Sequence, residues 1–160
     1  MRTNVPGVYA AGDVTGFSLL AHTASREGEV VVNNLTGSID TMRYNAIPGV
    51  VYTNPEVAGV GETEESAKAK GIAYRVAKLP MTFAGRFVAE NEGGNGLCKI
   101  LVGEKHGEVI GVHMLGNPCS EIIYGACMAI EQEMTLEAMQ EVVFPHPTVS
   151  EIFKEVIFSF

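Results

Sequence analysis

Long apolar runs are missing from this 160-residue chain, although 46% of its residues are hydrophobic. Without such a run, no segment reads as a transmembrane span. The opening Met1-Arg2-Thr3-Asn4 has no apolar core of the kind a secretory leader needs, so no export signal is expected. Basic clusters are missing too. Against 19 Asp and Glu stand 11 scattered Lys and Arg, a net charge of −8. That balance argues against nucleic acid and against an anionic membrane surface as partners. Cysteine is scarce: Cys98, Cys119 and Cys127 form neither a CxxC nor a metal-ligand spacing, which fits a reducing compartment and gives no metal site. The length allows one good core, or one domain with the remainder of another, but not three domains.

What the chain does contain begins with Val8-Tyr9-Ala10-Ala11, which reads as a short buried strand ending in Gly12-Asp13. A helix is expected from about Ser18-Leu19 to Asn34, stopped by Gly37. Gly lets a backbone approach a ligand, Asp accepts hydroxyl hydrogen bonds, and a helix N-terminus offers free N–H groups and positive potential. A strand, Gly-Asp and helix in that order therefore suit a nucleotide-type site, although many such units hold no ligand. His22 falls in the first turn of this helix. From Thr36 to Pro48 the composition shifts to Gly, Ser, Asp, Asn and Pro, which marks a connection. The expected organisation is residues 1–44 as one unit and 45–160 as a second.

In the second unit, Gly49 to Thr53 is a β-rich run, and Ile72 to Leu79 alternates as a strand does before Pro80 breaks it. Thr63 to Gly71 is a short helix with a Thr cap, acids first, bases last and Gly to stop. Two more strands, Leu97 to Val102 and Val109 to Leu115, are joined by a polar turn and form an antiparallel hairpin. Asn117-Pro118 reads as an N-cap followed by Pro at the first helical position. The helix it opens carries Cys119, Ile123 and Cys127 on one apolar face, so both thiols are expected to be buried and inert. A shorter helix follows at about Leu136 to Val142. In the last helix Val149, Ile152, Phe153, Val156, Ile157 and Phe160 recur at helical spacing and define a core stripe, with Phe158 on the opposite side. His106 sits in a turn and reads as solvated; His113 reads as a surface or interface residue.

Phe144-Pro145-His146-Pro147-Thr148-Val149-Ser150-Glu151 carries the chemistry. Two prolines hold His146 on a stiff, non-helical arm. Thr148 and Glu151 fit a capping box, which explains the carboxylate without any reaction. A carboxylate has two oxygens, however, so Glu151 can serve the cap with one and an imidazole N–H with the other. The result is a histidine base oriented by a carboxylate.

Taken together, these residues resemble the C-terminal third of the FAD-dependent pyridine nucleotide-disulfide oxidoreductases, in particular their lipoamide-acting branch. Four landmarks occur in the family's order and span the chain: Val5 to Asp13; Leu19-Leu20-Ala21-His22; Ile47-Pro48 through Tyr52-Thr53-Asn54-Pro55-Glu56 to Thr63-Glu64; and His146 to Glu151. The resemblance implies an α+β fold, an antiparallel sheet with flanking helices that forms the interface domain, preceded by the tail of an FAD-binding domain. It implies that Asp13 binds the ribityl chain of FAD, with Gly12 beside it in the cofactor site, and that the backbone at Leu20, Ala21 and His22 faces the flavin. His146 would take the proton of a dihydrolipoyl thiol, supported by Glu151, with a cis bond before Pro147. The implied reaction reoxidises protein-bound dihydrolipoamide through a redox disulfide, FAD and NAD in a homodimer. Its implied partner is a lipoyl-bearing acyltransferase or glycine-cleavage carrier, in the cytoplasm or, in a eukaryote, the mitochondrial matrix. The family's Gly-rich FAD fingerprint, Cys-x4-Cys and NAD-binding unit have no counterpart here, so the expectation is a fragment that neither holds FAD or NAD stably nor turns over alone. A fragment of another disulfide reductase, such as one acting on glutathione, and a non-catalytic dimerisation module are the alternatives.

Overall fold

A computed structural model describes residues 1–160, which divide into two compact units, Met1–Tyr44 and Asn45–Phe160. The first unit is built on one helix, α1 (Ala21–Leu35), preceded by a 3-10 turn at Asp13–Thr15. The helix begins later than its sequence suggests because Leu20 is still extended, at φ −124° and ψ 131°, and supplies no side-chain cap. The Ser18 hydroxyl instead donates to Thr23 Oγ1 at 3.0 Å. At the other end the Thr36 amide bonds Val32 O, and Gly37 takes a positive φ of 93°. The expected strand at Val8–Ala11 does not form. Tyr9 makes a single antiparallel bridge with Arg2, and Val8 is exposed. A strand needs a ladder partner for its backbone groups, and these residues find only that one bridge.

The second unit is a five-stranded antiparallel sheet in the order β1-β2-β5-β4-β3, with β1 Gly49–Val51, β2 Val57–Gly61, β3 Tyr74–Pro80, β4 Leu97–Gly103 and β5 Val109–Leu115. β4 and β5 are the hairpin expected from sequence. Pro80 is the last residue of β3 and pairs with Leu97, rather than breaking the strand after Leu79, which an edge strand tolerates because one side of its ladder is unpaired. Between the strands lie α2 (Glu64–Ala69) and α3 (Gly85–Glu90). α2 opens on a complete capping box in which Thr63 and Ser66 each accept the other's amide.

Three helices follow, α4 (Cys119–Glu131), α5 (Leu136–Gln140) and α6 (Glu151–Ile157). α4 packs on β2 and β5, and α6 on β3 and β4, so both cover one face of the sheet. Alternation along the strands sends Ala58, Val60, Cys98, Ile100, Val112 and Met114 into that layer, against Ile123 and Ile130 of α4 and Ile152 and Val156 of α6. The last helix buries the stripe read from sequence, with Ile152, Val156 and Ile157 fully enclosed and Phe158 exposed. At its start α4 differs from the sequence reading: Pro118, not Asn117, is the capping residue. The Asn117 side chain is used across the fold, accepting from the Glu56 amide at 2.9 Å and donating to Asn54 Oδ1 at 3.0 Å. On the opposite sheet face, register sets Gly59 beside His113, and His113 beside Lys99.

Candidate functional site

The His146 arm leads into α6. Its His146-Pro147 peptide is cis. Glu151, the first residue of α6, uses its two oxygens separately: Oε1 lies 2.9 Å from His146 Nδ1, and Oε2 accepts the Thr148 amide at 2.9 Å. Thr148 does not complete the capping box. Its hydroxyl donates to Pro145 O at 2.8 Å and shares a 2.8 Å contact with the Ser150 hydroxyl, and the helix is capped at Ser150 instead. The first turn is tight, with the Ile152 amide on Val149 O and the Phe153 amide on Ser150 O. Four enclosed residues of α6 thus anchor the carboxylate that orients the imidazole.

The electrostatics fix the tautomer. The Thr148 amide, and after it the His146 ring, hold the Glu151 carboxyl below the ordinary glutamate range, so it is ionised at neutral pH. An ionised carboxylate only accepts, so Nδ1 carries the hydrogen and Nε2 is left as the proton acceptor. The His146 side chain is 79% exposed and that of Glu151 only 15%, an exposed base on a sheltered support. Beside the arm runs an open groove of about 420 Å³ lined by Arg86, Glu90, Pro118, Ile122 and Pro147 to Ser150. Another open cavity, of about 450 Å³, is lined by Glu62, His106, Glu108 and Glu133 among others and includes neither His146 nor Glu151.

In the first unit the residues singled out from sequence lie on one turn and the helix after it. Gly12 is buried with φ 81°, Asp13 begins the 3-10 turn and is exposed, and Leu20 immediately precedes α1, which starts with Ala21 and His22. A side chain at Gly12 would meet Ala24 Cβ at 3.4 Å, so the turn lies close on α1. This arrangement fits a polyhydroxyl chain at Asp13 and an electron-rich ring at the uncapped helix start. The apolar side chains of Val14, Phe17 and Leu19 stand exposed around it. Sequence reasoning passed over one residue here. Glu27 is buried in α1 and accepts the Gly12 amide at 2.5 Å and the Tyr44 hydroxyl at 2.6 Å. Its position was readable, four residues after Thr23 and three before Val30 on the helix's buried face. Nowhere are three or more His, Cys, Asp or Glu grouped to hold a metal ion, and no helix is long and apolar enough to cross a membrane.

A five-stranded antiparallel sheet, with a histidine on the arm before its last helix oriented by that helix's first residue, corresponds to a known class. Residues 47–157 match the dimerisation domain of the pyridine nucleotide-disulphide oxidoreductases, and the chain belongs to that family. Among its relatives is the dihydrolipoyl dehydrogenase of Chlamydia muridarum, 40% identical over 155 residues, which are 97% of this chain and 33% of that protein. Leghemoglobin reductase of Glycine max is 42% identical over 153 residues, 96% of this chain and 29% of the relative. The crystal structure of LpdA from Mycobacterium tuberculosis superposes with a TM-score of 0.90 at 28% identity, covering 99% of this chain and 34% of that one. The chain therefore spans about a third of the length of these relatives.

Proposed function

We propose that this chain does the work of the C-terminal third of a dihydrolipoyl dehydrogenase, with residues 1–44 as the tail of its FAD-binding domain and 45–160 as its dimerisation domain. The observation that carries the reading is the divided grip of Glu151, one oxygen on His146 Nδ1 and one on the Thr148 amide. A dihydrolipoyl thiol presented to Nε2 gives up its proton there, and the sulfur keeps the bonding pair as a thiolate. Free thiols have a pKa of about 8.5 and react as thiolates, while an imidazole near about 6.5 accepts their proton at neutral pH. The thiolate then attacks one sulfur of a redox disulfide of the same enzyme, forming a mixed disulfide while the S–S bond breaks and the other cysteine leaves as a thiolate. The second dihydrolipoyl sulfur attacks the lipoyl sulfur of that mixed disulfide and displaces the enzyme cysteine, so lipoamide leaves oxidised and the enzyme pair is left reduced. The redox disulfide lies outside this chain, because Cys98, Cys119 and Cys127 are all buried free thiols. Glu151 holds the imidazole in the accepting tautomer and stabilises the imidazolium that forms.

FAD, when bound, would supply the two-electron relay from the reduced cysteine pair to NAD. Asp13 would accept hydrogen bonds from the ribityl hydroxyls, Gly12 would let the backbone approach, and the helix start at Leu20, Ala21 and His22 would face the ring. The enzyme acts as a homodimer in which His146 serves the disulfide of the partner subunit. Its protein substrate is a lipoyl-bearing acyltransferase or glycine-cleavage carrier, in the cytoplasm or the mitochondrial matrix. These 160 residues alone are expected to turn over no dihydrolipoamide.

The test compares wild type and His146→Gln in the full-length flavoenzyme, assayed with dihydrolipoamide and with glutathione disulfide. General acid–base catalysis contributes about 10²–10⁴ in rate, so kcat with dihydrolipoamide is expected to fall at least a hundredfold at unchanged flavin content. A variant within threefold of wild type removes His146 from the chemistry. Turnover of glutathione disulfide in place of dihydrolipoamide reassigns the substrate.

A further inference from the structure

Glu27 is the group the acid–base chemistry leaves unexplained. Its side chain is fully enclosed, at 0% exposure, and its two partners, the Gly12 amide and the Tyr44 hydroxyl, are neutral donors. A carboxylate taken out of water without a cation is unfavourable, so what it holds is the natural place to look for its role. It holds a turn. The Gly12 amide ends on Glu27 Oε2, while the Gly12 carbonyl accepts both the amide of Thr15, at 2.9 Å, and its hydroxyl, at 2.8 Å. Gly12 itself has φ 81° and ψ −159°, a conformation glycine adopts without strain but does not prefer over its many others, so contacts from outside the residue select it. Between these fixed ends sits Asp13, exposed. The second carboxylate oxygen is occupied by Tyr44, whose ring lies 5.5 Å from that of Phe17 just beyond the turn. Turn, helix and Tyr44 are thus joined through one buried side chain.

We propose that Glu27 is a positioning residue for the flavin: acting through the Gly12 amide, it holds the Gly12-Asp13 turn in the shape in which the Asp13 carboxylate meets the ribityl hydroxyls. This rests on the reading of Asp13 given above. What the site requires is an acceptor aimed at the Gly12 amide. Two donors converge on the site, and the backbone amide can only donate. Glutamine offers its one carbonyl to Gly12 and turns its NH₂ toward Tyr44, whose hydroxyl can rotate to accept. Methionine keeps the volume and the helix preference but offers only a weakly accepting thioether sulfur, so the Gly12 amide loses its strong acceptor.

Two measurements test the proposal. In the 160-residue chain, hydrogen exchange of the Gly12 amide is compared in wild type, Glu27→Gln and Glu27→Met. Exchange in Glu27→Met should be at least tenfold faster, and in Glu27→Gln within about threefold of wild type. In the full-length flavoenzyme stripped of flavin, FAD is titrated back and its dissociation constant read from flavin fluorescence, with Asp13→Ala alongside. Glu27→Met should weaken FAD at least tenfold and Glu27→Gln should restore most of the affinity. If Asp13→Ala weakens FAD while Glu27→Met binds it as wild type does, the part assigned to Glu27 is overturned and the reading of Asp13 stands. If Asp13→Ala itself binds FAD normally, that reading falls and takes this one with it. Unchanged Gly12 exchange in Glu27→Met overturns the mechanism by which Glu27 is said to act, whatever the FAD result.

Discussion

Replacing Gly59 by alanine tests how the open face of the sheet is built. A Cβ at Gly59 would lie 2.6 Å from His113 Nδ1, and its next two neighbours are atoms of the same ring. Ordinary contacts do not reach that distance, so the ring has to leave, and with it goes the 2.9 Å hydrogen bond between His113 Nε2 and Glu62 O. Losing one such bond costs about 0.5–1.5 kcal/mol, and overpacking a fitted site about 1–3 kcal/mol. Gly59→Ala should therefore destabilise by about 2–4 kcal/mol. With a urea dependence of about 1–3 kcal/mol per molar, the unfolding midpoint drops by about 1 M or more. The decisive comparison is a double-mutant cycle. His113→Ala alone loses the bond but relieves no clash. In that background Gly59→Ala meets nothing and gains the alanine's lower backbone entropy cost, so it should be neutral or slightly stabilising. A coupling of about 2–4 kcal/mol is expected from urea unfolding of the four proteins. Additivity within about 0.5 kcal/mol would show that the ring is not what Gly59 makes room for.

Ile152→Ala, in the enclosed stripe of α6, should cost about 2–5 kcal/mol by calorimetry, and a loss under about 1 kcal/mol would mean that α6 is not anchored as described. Burial pushes the Cys119 thiol up to about 12 and that of Cys127 to about 11, and raises Cys98 as well. A disulfide reagent at pH 8 should thus label none of the three until urea unfolds the chain, and rapid native labelling of any one contradicts its placement. Because the folded carboxyl of Glu151 lies below its unfolded value, its contribution to stability is complete above the ordinary glutamate pKa of about 4.3 and drains away as pH falls through the lower folded value. An acid titration of the Glu151 carboxyl carbon by NMR should inflect below about 4.3, with the Thr148 amide following it, and an inflection at or above that value is the contrary result.

Where local pattern and tertiary packing agree, the sequence was easy to read. The stripe from Val149 to Phe160, the β4–β5 hairpin and the Thr63 cap all reflect periodicity or capping chemistry contained within a few residues. The pairing of His146 with Glu151 was legible for the same reason, since five residues of a proline-stiffened arm leave the carboxylate little choice of partner. Strand β2 was not seen. Ala58-Gly59-Val60-Gly61 has weak strand preference; at Gly59 the His113 ring occupies the space a side chain would take, and at Gly61 a positive φ and the Ile110 carbonyl exclude one. Asn117 was misread because an Asn before Pro is a good cap locally, while its amide is engaged by Asn54 and Glu56 some sixty residues earlier in the chain. The helix α3 carried no capping side chain to announce it. Glu27 escaped because a glutamate between Arg26 and Gly28 looks like solvent-facing charge, and only the partners Gly12 and Tyr44, far off in sequence, explain its burial.

The two bonds that leave Glu151 have a consequence for what evolution or an engineer can place there. Aspartate, a methylene shorter, reaches the ring or the main chain but not both. Glutamine brings a single acceptor to a place where two hydrogens arrive. Starting a helix and aiming a base are thereby fused into one codon, and neither task is open to improvement without the other.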